Sequence, residues 1–319
     1  MKRFKNILVV ADGDSGPTRS LLYTGLDLAR RNDASLTVFS VVEDVPAGRR
    51  YRKRNGRSHD LNAMMIQSRL AELKAATPQS DVPVHYEVVA GTPHLKIIER
   101  VTLLGHDLVL TVPMPPLRRR ALGSSSTTMH LLRKCPVPVW VHSPLTATSD
   151  AVLVAIGPLG PESHSLNVKL LELGSSLAHA TGSELHVVHG WRLEGETMLS
   201  SPRLAYSPDE IADMGAEVRD EAERALLSLL ESVEGADRAR VILRKGHAAD
   251  VIAAAIEEGN PASIVMGTLA RSGIPGYIIG NTAERVLVNA NRSVLAVKPD
   301  GFVTPVGAVN SWSADQLPY

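Results

Sequence analysis

Cysteine is nearly missing from this 319-residue sequence. The single Cys135 has no internal disulfide partner, which fits a reducing compartment. Aromatic residues are scarce. Three Trp, six Tyr and three Phe are too few for the base-stacking platforms of a single-strand nucleic-acid binder. No apolar run approaches the ~18 residues of a membrane span. The N-terminal stretch Ile7–Ala11 stops at Asp12, short of a signal-peptide core. The expectation is a cytoplasmic protein without membrane association. Net charge is lacking too, with 34 Lys and Arg against 34 Asp and Glu. With 44% hydrophobic and 21% charged residues, the composition is globular and excludes a disordered chain, a collagen and a coiled-coil rod.

The neutrality conceals a division. Residues 1–149 hold 21 Lys and Arg against 12 Asp and Glu, a net of +9. Residues 150–319 hold 13 against 22, a net of −9. Two compatible readings follow: solvated surfaces of opposite bias, or halves that attract each other while the first takes anions. The length itself suggests two domains.

Five short Val-, Ile- and Leu-rich runs recur in each half, in matching order. They are Ile7–Ala11 and Val152–Ile156, Leu36–Val42 and Leu185–His189, Val84–Val89 and Ala239–Leu243, Leu108–Val112 and Ile264–Met266, and Val137–Val141 and Val294–Val297. They do not alternate with polar residues, as expected of parallel strands buried on both faces. Helical patterns lie between them: Thr18–Arg31 and Ser165–His179, Leu61–Ala76 and Asp209–Val233, Leu95–Leu104 and Ala248–Glu258, Ser124–Lys134 and Asn281–Ala290. Strict alternation implies right-handed crossovers and an α/β fold with two tandem five-stranded parallel-sheet domains. The domains are expected over residues 1–145, which is basic, and 150–300, which is acidic. The boundary lies in Ser143–Asp150, and an aperiodic tail runs over 301–319.

In an open parallel sheet, ligands sit beyond the carboxyl ends of the strands, where strand order reverses. The loop after the fourth strand of the second half is rich in glycine: Gly267, Gly273, Gly276 and Gly280 precede Asn281, Thr282 and Glu284. Glycines allow close backbone approach, and the helix start that follows is an anion site, with Asn281 or Thr282 as its cap. Arg271 adds charge-assisted bonds. The alternative is a tight turn with an ordinary cap. In the first half, Arg49, Arg50, Arg52, Lys53, Arg54 and Arg57 follow the second strand, and Arg118, Arg119 and Arg120 follow the fourth. They either hold a polyanion over one crevice or decorate two solvated loops. Without a recognised motif or interleaved aromatics, nucleic acid is an unfavoured partner.

Other residues point to structure. His186 and His189 stand three apart on a strand and face opposite sides, so no metal site is expected. Asp250 belongs to a helix start, and Cys135 and Ser124–Ser126 have packing and capping roles. No nucleophile elbow, P-loop or paired-carboxylate set is present, so no catalytic residue is assigned.

The pattern Gly267-x2-Ala270-x9-Gly280-Asn281 resembles the glycine-rich nucleotide loop of the universal stress protein family, with Ala270 at the second glycine. GT-x-x-R-x-GI, GNTAE and VLAVKPD, with HDLVL and HLLRKCPVPVW in the first half, are similar to the tandem, E-type members of that family. The resemblance implies an adenine nucleotide alpha hydrolase-like fold with strand order 3-2-1-4-5 in each domain. It implies ATP or AMP, with magnesium accompanying ATP, held by an acid ending strand one, a backbone position ending strand two, and the Gly loop. In the first half the acid is Asp12 and the strand-two residue Val41. Thr111, Met114 and Ser124 replace the glycines there, leaving Arg118–Arg120, Ser124 and Ser125 as the anion contacts. In the second half the loop persists, but Gly157 and Gly190 stand at the acid and strand-two positions. Neither half is complete. The second is favoured because backbone amides supply the phosphate contacts. The function expected is a stress-response sensor that binds an adenine nucleotide or another anion and is read by protein partners. The two domains are expected to pair within the chain, and a homodimer is an open outcome. Alternatives are a weak ATPase or nucleotide-dependent enzyme on the same scaffold, and a ligand-free scaffold.

Overall fold

The computed structural model describes residues 3–13, 15–44, 61–113, 127–144, 149–201, 203–204, 206–268, 279–289 and 291–307. Two compact units emerge, one built on residues 1–144 and the other on residues 145–273 and 279–301. The first runs β1 (Asn6–Val10), α1 (Gly16–Asn32), β2 (Ser35–Val42), α2 (Leu61–Ala76), β3 (Val84–Ala90), α3 (Pro93–Leu104), β4 (Leu108–Thr111), α4 (Thr127–Lys134) and β5 (Val139–Val141). The second runs β6 (Ala151–Ala155), α5 (Pro161–Thr181), β7 (Glu184–Trp191), α6 (Glu196–Leu199), α7 (Pro208–Glu231), β8 (Arg240–Lys245), α8 (Ala248–Gly259), β9 (Ser263–Gly267), α9 (Asn281–Asn289) and β10 (Ser293–Val297). Residues 302–307 carry neither helix nor strand, and residues 308–319 lie outside the described residues.

The strands are parallel in both units, ordered β3-β2-β1-β4-β5 and β8-β7-β6-β9-β10. This is the expected 3-2-1-4-5 arrangement, twice. Equivalent hydrogen bonds mark the repeat: the Ala11 amide donates to Phe39 at 3.0 Å, and the Ile156 amide donates to Val188 at 3.0 Å. Strands β1, β4, β6, β9 and β10 are buried over most of their length, as their unbroken apolar runs require. Strands β3 and β8, at one end of each order, are only half-buried.

Helix ends follow local chemistry. Ser15 accepts the Thr18 amide at the start of α1. Ser207 and Glu210 form a reciprocal capping box at the start of α7. Backbone hydrogen bonding holds the exposed Glu210 carboxyl below its ordinary range. The acidic helix expected at Asp209–Val233 thus has a built start. Sequence patterning missed α6, a helix of four residues too short to show a period.

In the first unit the rings of His94, on α3, and His130, on α4, stack with centroids 3.9 Å apart. Burial, then the neighbouring charges of His130 and Lys134, push the His94 pKa down to about 4. The folded state therefore favours neutral His94, whereas the unfolded chain protonates near 6.5. This contribution to stability is present above pH 6.5 and is lost as pH falls towards 4. After allowance for solvent screening it amounts to about 1 kcal/mol. Urea denaturation at pH 7.5 and pH 4.5 should show a smaller drop for His94→Gln than for the wild type.

Candidate functional site

Strand order reverses at β6, which lies between β7 and β9, so the chain leaves β6 and β9 in opposite directions. Over the carboxyl ends of these strands the second unit has a cleft of about 770 Å³. Its floor is Ile156 and Gly157 after β6, with His189 and Gly190 of β7. One wall is α7, which presents Val218, Glu221, Ala222 and Ala225. The spacing of these four places them on a single helical stripe. The opposite side is the β8–α8 turn, Gly246 to Asp250, with Asn281, Thr282 and Arg285 of α9.

The two floor glycines are held in different ways. The Gly157 amide donates to Asn167 Oδ1 at 3.1 Å, and Asn167 Nδ2 donates to the Pro158 carbonyl at 3.0 Å. Asn167 is buried on α5 and pins the loop that follows β6. A Cβ at Gly157 would lie 3.4 Å from Asn167 Oδ1. At Gly190 a Cβ would meet Ala248 Cα at 3.2 Å and the Gly246 carbonyl at 3.3 Å. The β8–α8 turn comes this close because Gly190 has no side chain, and the Gly246 amide fixes it by donating to Trp191. Asn167→Ala removes both side-chain bonds and leaves a half-buried amide and a carbonyl unpaired. It should lower the stability of the second unit by about 2 kcal/mol in urea titration.

The ends of the glycine-rich loop meet. The Gly280 amide donates to the Thr268 carbonyl at 2.8 Å, and the Thr268 amide donates to Val297 at 3.0 Å. The helix begins at Asn281, and its first bond runs from the Glu284 amide to the Gly280 carbonyl at 2.9 Å. Gly280, not Asn281 or Thr282, is therefore the cap residue. A Cβ there would sit 3.4 Å from the Thr268 carbonyl, an ordinary contact distance. The amides of Asn281 and Thr282 precede the first helical bond, at the positive end of the helix dipole.

Both arginines around the cleft are paired. Arg285 donates to Asp250 at 2.6 Å, which ties α9 to the first turn of α8. Arg192 forms an ion pair with Glu194 at 2.8 Å and donates to His247 Nδ1 at 2.9 Å. His189 is buried, and its Nδ1 lies 3.3 Å from the Ile156 carbonyl. A carbonyl only accepts, so Nδ1 carries the proton. Burial depresses the His189 pKa, against the smaller opposing effect of the Ile156 and Gly157 carbonyls, which keeps the ring neutral at pH 7. Among the described residues no group of three or more His, Cys, Asp or Glu could hold a metal ion. No described helix is long and apolar enough to cross a membrane.

Of the residues expected in this site, Gly157, Gly190, Asn281 and Thr282 line the cleft, and Gly267 and Gly280 bound its loop. Ala270, Arg271 and Gly273 lie outside the described residues. Asn167 and Arg285 were not anticipated. The one available signal for Asn167 was an amide set among Leu166, Leu170 and Leu171 of an apolar face.

The first unit differs at the same place. Asp12 follows β1 and forms an ion pair with Arg69 of α2. Arg69 also donates to Ser40 at 3.3 Å and pairs with Glu72 at 3.2 Å. Val41 is half-buried and pairs with Val89 in the sheet. Arg118, Arg119, Arg120, Ser124 and Ser125 lie outside the described residues, as do Arg49–Arg57.

Comparison with known proteins places both halves. The model of the universal stress protein family matches residues 3–142 and 149–298. The chain is similar to universal stress protein E of Photorhabdus laumondii, at 26% identity over 97% of this chain and 99% of that protein. It is 32% identical to universal stress protein E of Escherichia coli over 70% of this chain and 71% of that one. In fold it is similar to a functionally unknown protein of Pseudomonas aeruginosa, with a TM-score of 0.66, 24% identity and 94% of each chain covered. It is likewise similar to a universal stress protein of Archaeoglobus fulgidus, with a TM-score of 0.58 and 20% identity over 93% of this chain and 98% of that one.

Proposed function

The chain belongs to the universal stress protein family, and from that premise we propose that its second unit binds an adenine nucleotide, ATP or AMP, or a similar anion in the cleft over β6 and β9. The protein acts as a cytoplasmic stress-response sensor, and protein partners read its liganded state. The observation that carries this reading is the cleft itself. Its volume of about 770 Å³ suits a small ligand. It lies at the switch point of the sheet, and the first amides of α9 border it. Arg285, released from Asp250, would add a bidentate donor for phosphate. Magnesium would arrive with the triphosphate rather than be held by a protein cluster.

Binding rather than turnover is favoured because the sequence has no P-loop lysine and the described residues assemble no general base. Two measurements test the reading. Mass spectrometry of small molecules released from freshly purified protein should find an adenine nucleotide, and calorimetric titration should show ATP binding. Arg285→Ala should weaken ATP binding about tenfold, the worth of a charge-assisted pair. Neither released nucleotide nor a binding heat would overturn the proposal. Magnesium-dependent release of ADP during the titration would favour the enzyme instead.

A further inference from the structure

The two units solve the same local problem with different residues. The bonds Ala11 to Phe39 and Ile156 to Val188 set Asp12 opposite Gly157 and Ser40 opposite His189 in the repeat. In the first unit, Asp12 and Ser40 are two acceptors, and both bind one internal donor, Arg69. In the second unit the carboxylate is lost at Gly157. The helix position that carries Arg69 carries Ala222, since each stands four residues before a leucine that is fully buried, Leu73 and Leu226. On the floor of the cleft, the side-chain acceptor that remains is the imidazole of His189.

We propose that His189 Nε2 is the side-chain hydrogen-bond acceptor on the floor of the cleft and takes an N–H or O–H of the bound anion, in the role that Asp12 and Ser40 perform for Arg69 in the first unit. The inference rests on the reading of this cleft as a ligand site and adds a rule for which ligands it accepts. Three observations carry it. His189 lines the cleft floor. Its Nδ1–H is committed to the Ile156 carbonyl, so in the neutral ring Nε2 carries the lone pair. No protein N–H or O–H among the described residues bonds to that nitrogen, and the facing helix presents Val218, Glu221, Ala222 and Ala225, none of which carries a side-chain donor at neutral pH. Burial keeps the ring neutral, which preserves the acceptor at pH 7. The ligand is thus bidentate in kind: an anionic end at the α9 amides and Arg285, and a donor end at His189. A nucleotide offers two such donors, the amino group of its base and the hydroxyls of its sugar.

The test uses the full-length protein and ATP as probe. His189→Leu, which deletes the acceptor, should weaken ATP binding about fivefold to tenfold, the worth of one hydrogen bond. His189→Gln, which retains an acceptor oxygen, should stay within about threefold of the wild type. Two analogues locate the donor: N6,N6-dimethyl-ATP lacks the base donor, and 2′,3′-dideoxy-ATP lacks the sugar donors. One of them should bind the wild type as weakly as ATP binds the leucine variant, and that variant should not distinguish it from ATP. Long-range ¹H–¹⁵N spectra of the wild-type imidazole should show the Nδ1–H tautomer, with the Nε2 resonance moving when ATP is added. That readout holds even where His189→Leu does not fold. ATP binding that is unchanged in His189→Leu, or an Nε2 resonance that ATP leaves in place, overturns the role of His189 and leaves the cleft intact as a nucleotide site. Failure of the wild type to bind ATP overturns both.

Discussion

Rebuilding the ion pair of the first unit inside the second should abolish ATP binding. The double variant Gly157→Asp, Ala222→Arg should lose at least about 100-fold in affinity, or some 2.7 kcal/mol. In the first unit, Arg69 reaches from α2 to Asp12 and Ser40 and so lies across the loop that follows β1. A Cβ at Gly13 would already come within 3.8 Å of the Arg69 guanidinium carbon. The second unit has three small residues, Gly157, Ala222 and Ala225, where the first has Asp12, Arg69 and Glu72, and all three line the cleft. Small side chains on two elements thus border the open volume. Refilling it with a neutralised pair removes the space without adding a free cation for the ligand. Ala222→Arg alone is the informative control. An unpaired guanidinium there is free to hold a phosphate, so the single variant should lose far less than the double one. Equal losses would mean that bulk at position 222, and not the internal pair, closes the site. Unchanged binding in the double variant would place the ligand elsewhere.

Much of the fold was legible because both kinds of period survive in the sequence. All ten apolar runs are strands, and all eight helical patterns are helices, with ends displaced by a few residues where caps decide them. β5 begins at Val139 rather than Val137 because Pro138 has no amide to donate to a ladder. The domain repeat was visible for the same reason. Runs buried on both faces cannot drift in composition without losing the core. Three aspects of the site were not legible, and each depends on contacts between distant residues. The Arg69–Asp12 pair joins positions 57 residues apart on different elements. The buried Asn167 is silent in a hydrophobicity pattern, which registers a polar residue on an apolar face only as an imperfection. Sequence spacing read His189 as one of two histidines on opposite faces and excluded metal. It could not show that the Ile156 carbonyl fixes its tautomer. Gly280 was placed correctly in the loop. Its role as the helix cap depends on the Thr268 carbonyl, which only folding brings near.

Gly174→Ala should destabilise the second unit by about 3 kcal/mol, a larger effect than any surface change. Gly174 lies on α5, where that helix crosses β6. A Cβ at this position would come within 2.2 Å of Val154 Cγ2, far inside contact distance. Val154 is fully buried in the central strand and is paired with β7 and β9, so it has no direction in which to yield. The first unit repeats the device, with a Cβ at Gly25 falling 2.6 Å from Val9 Cγ2. Taken alone, helix propensity argues the other way, since alanine gains about 1 kcal/mol over glycine inside a helix. The stated figure is what remains when that gain is set against overpacking in a core that cannot shift. The sign of the effect therefore decides between propensity and packing. Hydrogen exchange of the β6 and β7 amides reads the second unit without assuming that the whole chain unfolds in one step. Those amides should exchange about 100-fold faster in the variant, while the β1 and β2 amides keep their wild-type rates. Adding Val154→Ala makes room for the new methyl group, so the double variant should be more stable than the sum of the two single changes predicts. Stability that is unchanged or raised by Gly174→Ala would show that α5 can move off the sheet. The glycine would then reflect backbone preference and not the close crossing of helix and strand.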